Sequence, residues 1–214
     1  MAPRRNTSND SSDDERNTSY CRQVQRVASS VGIAQEESLS GTGRPLDWSK
    51  IQAYLSEVGE ELAIRGLSRS VAIVGGAYVA SRGVRSSTTD VDTIDELDSD
   101  FKEVIAAIAE RHGLESDWLN DRARPWRPVT FEKDLCQAIL RVGGLVVLAP
   151  HPDTIVLMKI AAGGRTPNDA RDLKALWSAS NFTESAHAVE AYYAAYPHEE
   201  IDPHLAAWIR SVIT

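Results

Sequence analysis

The sequence has few of the residues that stabilise a fold covalently or carry a chain through a membrane. Its 214 residues include two cysteines, Cys21 and Cys136, which lie too far apart to suggest a disulfide framework. It contains no apolar run of about 18 residues, so no membrane span is expected. The first residues lack the apolar stretch of a secretory signal. These absences predict a cytoplasmic protein in a reducing compartment, without a membrane partner.

Histidine clusters and an excess of basic residues are also missing. The five histidines show no spacing typical of zinc ligands. Lys and Arg number 23 against 31 Asp and Glu, which gives a net charge of −8. This balance argues against tight, non-specific binding of nucleic acid, which needs many contacts between basic side chains and phosphates. It leaves room for a local basic groove and suits a basic partner protein.

Apolar residues are distributed unevenly along the chain. Residues 1–45 are rich in Asn, Ser, Thr, Asp and Arg and poor in aliphatic side chains. Such a composition does not bury enough apolar surface to offset the entropy lost on ordering. We therefore predict a disordered tail over 1–45, a main domain over 46–180 and a helical C-terminal extension over 181–214.

The spacing of apolar residues predicts the elements of the main domain. Helical spacing covers residues 48–67, 99–112 and 152–162, and a short helix is expected over 77–82. Further helices are expected to start at Thr166-Pro167 and Asp202-Pro203. Strands are expected over 70–74, 90–95, 136–142 and 145–148, the last two forming a hairpin. This order predicts an α+β fold with a mixed sheet and C-terminal helices.

The most informative segment follows the first predicted strand. That strand ends at Gly75-Gly76, and a loop rich in Gly, Ser and Thr then leads to Asp90 and Asp92. Side chains at i and i+2 of a strand share a face, so the two carboxylates are expected to lie close together. They would repel each other unless they are exposed or a divalent cation bridges them. Glycines after a strand let backbone N–H groups approach a phosphate.

Three segments of the chain resemble motifs of the DNA polymerase β-type nucleotidyltransferase superfamily and follow one another in the same order. The resemblance is strongest to the minimal members of this superfamily, found among toxin–antitoxin and abortive-infection proteins. The first comprises Gly75, Gly76, Thr88, Asp90 and Asp92. The second, Asp117-Trp118-Leu119-Asn120-Asp121, is similar to a Trp-Leu-Asn element in one group of these proteins. The third is the run from Leu157 to Ala162, containing Met158-Lys159, followed by Arg165, Asp169 and Asp172.

The resemblance implies a polymerase β-type core and a metal-dependent enzyme. It would transfer NMP from an NTP to a hydroxyl group of an RNA, such as a tRNA, or of a protein, with a cognate antitoxin or toxin as a further partner. Asp90 and Asp92 would bind Mg²⁺ or Mn²⁺, and Lys159 would bring its ammonium group to the triphosphate. The other implied nucleotide-binding residues are Gly75, Gly76, Arg85, Thr88 and Asp172.

The residues themselves leave other interpretations open. Asp90 and Asp92 would equally be solvent-facing strand residues, and the glycines would equally end a strand. Lys159 lies within an apolar helix, from which its ammonium group would equally extend to water. Arg85 and Thr88 would equally hold the loop, and Asp172 would equally form a surface ion pair.

Two departures from the superfamily pattern favour a different function. Gly76 replaces the more usual serine, whose hydroxyl would touch phosphate. Many members carry a third carboxylate on a later strand, but the predicted strand 136–142 has none, and Glu132 and Asp134 before it are the nearest candidates. The alternative is a non-catalytic module that binds a nucleotide or a partner on the same fold, such as an antitoxin or a regulator.

Overall fold

A computed structural model of the chain describes residues 43–163 and 167–214. These ranges contain seven α-helices: α1 (Trp48–Ile64), α2 (Gly75–Ser81), α3 (Ser99–His112), α4 (Pro152–Ala161), α5 (Pro167–Trp177), α6 (Ser185–Ala195) and α7 (Leu205–Ile213). They also contain five strands: β1 (Arg69–Val74), β2 (Val91–Thr93), β3 (Leu119–Asn120), β4 (Gln137–Val142) and β5 (Leu145–Ala149). The predicted α+β fold is confirmed. The prediction of disorder for residues 1–42, and the expectations for Arg165 and Thr166, lie outside the described residues.

The five strands form one mixed sheet in the order β3-β2-β1-β5-β4. Strand β1 is central, antiparallel to β2 and parallel to β5, and its last four residues are buried. Its register pairs Val74 with Asp92. The end of β1, where Gly75 follows, therefore lies beside the start of β2. On the other side of β2, the short parallel strand β3 pairs Asn120 with Asp92.

Side chains at the helix and strand ends explain where these elements begin and end. Helix α3 begins after Asp98, whose carboxylate accepts the backbone N–H of Phe101 at 2.9 Å, and it ends at Gly113 in the left-handed conformation. Both ends agree with the predicted helix 99–112. The predicted strand 90–95 is shorter, at 91–93, because side-chain hydrogen bonds partly replace the backbone ladder after Thr93, where one backbone bond, from Ile94 to the carbonyl of Ala72, remains. Thr93 donates its hydroxyl to the carbonyl of Ala72, and Asp95 accepts the N–H of Ala72.

Successive residues of β1 face two separate hydrophobic clusters, as the two-residue period of a strand requires. Val71 and Ile73 pack with α1 and α3 on one face of the sheet. Ala72 and Val74 pack on the other face with α4, α5, α6 and α7. Residues 43–214 form one compact unit. Helices α6 and α7, within the predicted C-terminal extension, thus bury side chains such as Ile209 against the same cluster as the sheet.

No helix in the described ranges is both long enough and apolar enough to span a membrane.

Candidate functional site

The glycine pair lies directly against the predicted acidic residues. Gly75 has φ = +60°, which favours glycine, and a Cβ atom at this position would overlap Oδ2 of Asp92. A Cβ atom at Gly76 would overlap the hydroxyl of Thr88 and lie 3.0 Å from Nη1 of Arg85. Both positions therefore require glycine because side chains of the predicted site pack onto the backbone. The expected proximity of Gly75, Gly76, Thr88 and Asp92 is present in the structure.

Asp90 and Asp92 form an electrostatically unfavourable pair. Asp90 directly precedes β2, Asp92 is the middle residue of this strand, and both are half-buried. Burial raises the pKa of Asp92 to about 6, with a further contribution from the negative charge of Asp90. Burial also raises the pKa of Asp90, and Asp117 adds to this effect. Each carboxyl group therefore binds its proton more tightly than an aspartate in water, because desolvation and like charge disfavour the ionised form.

Arg122, in the turn after β3, offsets the negative charge of this pair only weakly. Arg122 places Nη2 3.5 Å from Oδ2 of Asp90 and 3.4 Å from Oδ2 of Asp117. Its side chain is 59% exposed, so solvent screens both ion pairs. The turn is held by a hydrogen bond from the backbone N–H of Arg122 to Oδ1 of Asn120 at 3.0 Å. The two aspartates consequently retain an excess of negative charge.

A second ionic cluster surrounds Lys159 and is well paired. The ammonium group of Lys159 lies 2.7 Å from Oδ1 of Asp169 and 2.9 Å from Oδ2 of Asp172. Asp172 also accepts a 2.7 Å hydrogen bond from Nη2 of Arg85. The side chains of Lys159 and Asp172 are 12% and 3% exposed. Lys159 therefore does not extend into open water, and Asp172 is a buried acceptor for two cations rather than a surface residue.

Asp92, one member of the carboxylate pair, and Lys159 line the same cleft. The cleft has a volume of about 290 Å³, and Asp92, Gly75, Lys159 and Asp169 contribute its polar lining. The ammonium group of Lys159 is near enough to lower the pKa of Asp92, although burial and Asp90 outweigh this effect. The remaining wall is mostly apolar and comprises Val74, Ala123, Trp126, Ile155, Met158 and Ala162. The cleft thus combines an anionic group, a cationic group and an apolar surface.

The third carboxylate expected from the resemblance is not near Asp92 in the sheet. Strand β4 is three strand spacings from β2, about 14 Å. Lys133, which lies between Glu132 and Asp134, contacts the carbonyl of Ser70 and the carboxylate of Asp95. These groups lie at the ends of β1 and β2 remote from Gly75. Glu132 and Asp134 are therefore not neighbours of the pair.

A divalent cation would find two protein carboxylates here. In the described ranges, no group of three or more His, Cys, Asp or Glu side chains is placed to hold a metal ion. Mg²⁺ commonly uses one or two carboxylates and takes its other ligands from water and substrate phosphates. The half-buried pair, with pKa values raised by burial and further by neighbouring negative charge, suits such an ion. The donor set therefore fits a cation that arrives together with a phosphate ligand.

Several residues at the site were not among those predicted to act there. Arg122 and Trp126 come from the loop after β3, and Asp169 comes from the first turn of α5. The residues alone predict Asn120 as a turn residue, and the resemblance implies that it shapes the nucleotide pocket. In the structure it lies in a strand beside Asp92. A two-residue strand has too few positions to show an alternating pattern, so the sequence carried little signal for it.

No family model, curated protein or solved structure matches the chain. The nucleotidyltransferase interpretation therefore depends on the three sequence segments and on the geometry of this cleft.

Proposed function

We propose that the cleft binds a nucleoside triphosphate with a divalent cation, and that the protein is a nucleotidyltransferase. The observation that carries the proposal is the contact of the Asp92 carboxylate with Gly75, in a cleft that Lys159 also lines. An anionic pair, a close backbone and a cation are the groups needed to hold a metal–triphosphate complex. An RNA or a protein with a free hydroxyl would be the acceptor, and a toxin–antitoxin role follows from the resemblance alone.

Different residues of the cleft would bind different parts of the metal–triphosphate complex. Asp90 and Asp92 would hold Mg²⁺ or Mn²⁺, and the cation would neutralise charge on the phosphates as the α-phosphorus is attacked and pyrophosphate leaves. Gly75 and Gly76 have no side chains, so a phosphate can approach their backbone N–H groups closely. Lys159 would supply positive charge to the outer phosphates. The apolar wall with Trp126 would exclude water from the nucleoside.

A second candidate function is a non-catalytic module that binds a nucleotide or a partner protein. It is favoured by the pairing of Lys159, whose charge is already shared by Asp169 and Asp172. A triphosphate would have to compete with two carboxylates for this ammonium group. In the non-catalytic alternative the ion pairs persist, and the cluster stabilises the packing of α4 on α5.

Incubation with each α-labelled NTP, Mg²⁺, tRNA and cell lysate tests the proposal. Label should appear on RNA or on protein with the parent chain and disappear with Asp90→Asn/Asp92→Asn. Asp134→Asn is the matched control, because Asp134 is an exposed aspartate outside the cleft and its variant should keep full transfer. Full transfer by the double variant would refute the proposal. Nucleotide binding without transfer by the parent chain would favour the non-catalytic module.

A further inference from the structure

We propose that Asn120 is a positioning residue for the carboxylate pair, with its side-chain amide directed at Asp92 and Asp90 as a neutral hydrogen-bond donor. The effect that we expect of Asn120 on metal binding rests on the proposed function. Its geometric content, that the amide faces the pair, can be tested without a metal or a nucleotide.

The backbone brings Asn120 to this position. Strand β3 runs parallel to β2, and the register pairs Asn120 with Asp92. Register partners on neighbouring strands place their side chains on the same face of a sheet. Asn120 is 5% exposed, so its amide is not directed into solvent.

The hydrogen bonding of Asn120 fixes which end of the amide is free. The backbone N–H of Arg122 needs an acceptor, and Oδ1 of Asn120 provides it at 3.0 Å. This assignment leaves Nδ2, which has two N–H groups, for the opposite side. Nδ2 is buried and makes no hydrogen bond of good geometry to any described residue. A buried donor without a partner is costly, so this group requires an explanation.

The neighbouring carboxylates supply that explanation. Burial is the main cause that raises the pKa of Asp90 and of Asp92, whereas the Asn120 amide acts in the opposite direction on both. Nδ2 is thus close to both aspartates although its geometry falls short of a full hydrogen bond. An amide donor stabilises ionised carboxylates without adding a charge, and it holds their oxygens in a fixed orientation. A cation bound by the pair would depend on both effects.

If Asn120 only held the turn, the variant Asn120→Asp would have a different effect on stability. The turn needs only the acceptor Oδ1, and aspartate forms the same type of turn as asparagine. Asn120→Asp therefore preserves the turn and the side-chain volume but replaces the amide donor with an oxygen of a third carboxylate. If the amide faces the pair, this change creates repulsion that the turn alone would not produce.

The first test is a double-mutant cycle in EDTA at neutral pH. Asn120→Asp should lower Tm by several degrees in the parent chain and by much less in the Asp90→Asn/Asp92→Asn background, where the negative charges are absent. The control is Asn181→Asp, because Asn181 donates to Asp153 at an exposed position and its variant should change Tm little. An equal Tm loss from Asn120→Asp in both backgrounds would overturn the proposal.

The second test is Mn²⁺ binding, measured by calorimetry or by EPR. Asn120→Ala should weaken binding about 10- to 100-fold, as expected when a residue that orients metal ligands is lost. Parent-like affinity in folded Asn120→Ala would also overturn the proposal. If Asn120→Ala does not fold, the cycle with Asn120→Asp still decides the orientation of the amide. If the parent chain binds Mn²⁺ neither alone nor with a non-hydrolysable nucleoside triphosphate, the metal site of the proposed function fails, and the cycle again decides the case of Asn120.

Discussion

Two ionic clusters border the same cleft and differ in how their charges are balanced. The carboxylate pair, Asp90 and Asp92, has an exposed arginine as its nearest cation, at 3.5 Å from Asp90. Among the described residues, the cluster around Lys159 contains two cations and two carboxylates joined at 2.7 to 2.9 Å, so these four charges balance one another. The first cluster therefore lacks a positive charge that the second already has.

The difference in charge balance predicts that the carboxylate pair lowers the stability of the folded chain and that the cluster around Lys159 raises it. A pair of half-buried carboxylates destabilises the folded chain unless a cation from outside joins it, which is typical of functional sites. The cluster around Lys159 joins the loop before β2 to α4 and α5, and breaking it would leave charges buried without a partner. We therefore expect changes in the two clusters to shift stability in opposite directions. The four experiments below test this contrast, in order of decreasing effect.

The largest effect is expected from Asp172→Ala. Asp172 is 2% exposed and accepts from Arg85 and Lys159, so its removal leaves two poorly exposed cations with fewer partners. The free energy of unfolding should fall by about 3–5 kcal/mol. Urea denaturation measures this loss. Glu110→Ala, at an exposed position of α3, is the control and should change stability by about 0.5 kcal/mol or less. A loss below about 1 kcal/mol in Asp172→Ala would show that the cluster is not stabilising.

Next in size is the loss of transfer activity in Lys159→Ala. If Lys159 acts on the triphosphate, removing its charge should lower turnover about 10²-fold. Lys159→Arg should restore activity only in part, because a planar guanidinium differs in geometry from an ammonium group. Lys174→Ala, at an exposed lysine of α5, should keep parental turnover. An unchanged rate in Lys159→Ala would assign Lys159 to the structural cluster alone.

Asp92→Asn should stabilise the chain in a pH-dependent manner. The pKa of Asp92 is raised by burial to about 6 in the folded state, above the ordinary aspartate value of 3.8. Between these values the folded chain binds more protons than the unfolded chain, so stability falls as pH rises and the full penalty is present above pH 6. In EDTA, the variant should match the parent near pH 4 and exceed it by about 2–3 kcal/mol near pH 8. Parallel stability curves would contradict this expectation, and Mg²⁺ should reduce the difference.

The smallest effect is the difference between two glycine variants. Gly75 and Gly66 both have positive φ, but nothing lies within 4 Å of a Cβ atom at Gly66. Gly66→Ala should therefore cost only the backbone strain, about 1 kcal/mol. Gly75→Ala adds an overlap with Asp92 and should cost about 1 kcal/mol more. Thermal denaturation compares the two, and equal losses would mean that Asp92 moves away from Gly75 freely.

The sequence predicted part of this site, because some of its constraints are local. The acidic pair and the glycine pair were recognised from their spacing, and Gly75 and Asp92 are in contact. The ion pair of Arg85 with Asp172 joins residues 87 positions apart, and no local pattern connects them. The residues alone predict Asn120 as a turn residue, because its strand has only two residues and shows no alternation. The assignment of Asp172 to the nucleotide stays a prediction, since its carboxylate already binds two cations of the chain.

The sequence by itself determined most of the helices and strands, though not β3, because capping residues, glycines and apolar spacing act within a few neighbouring positions. Asp98 and Gly113 bound α3 in this way, and the alternation of β1 divides its side chains between two clusters. Only the tertiary structure decided which charges are balanced. The sheet order brings Asn120 rather than a carboxylate to Asp92, and the packing of α4 on α5 brings Lys159 to Asp169 and Asp172. Charge balance depends on distances between elements remote in sequence, and those distances exist only after the core has formed.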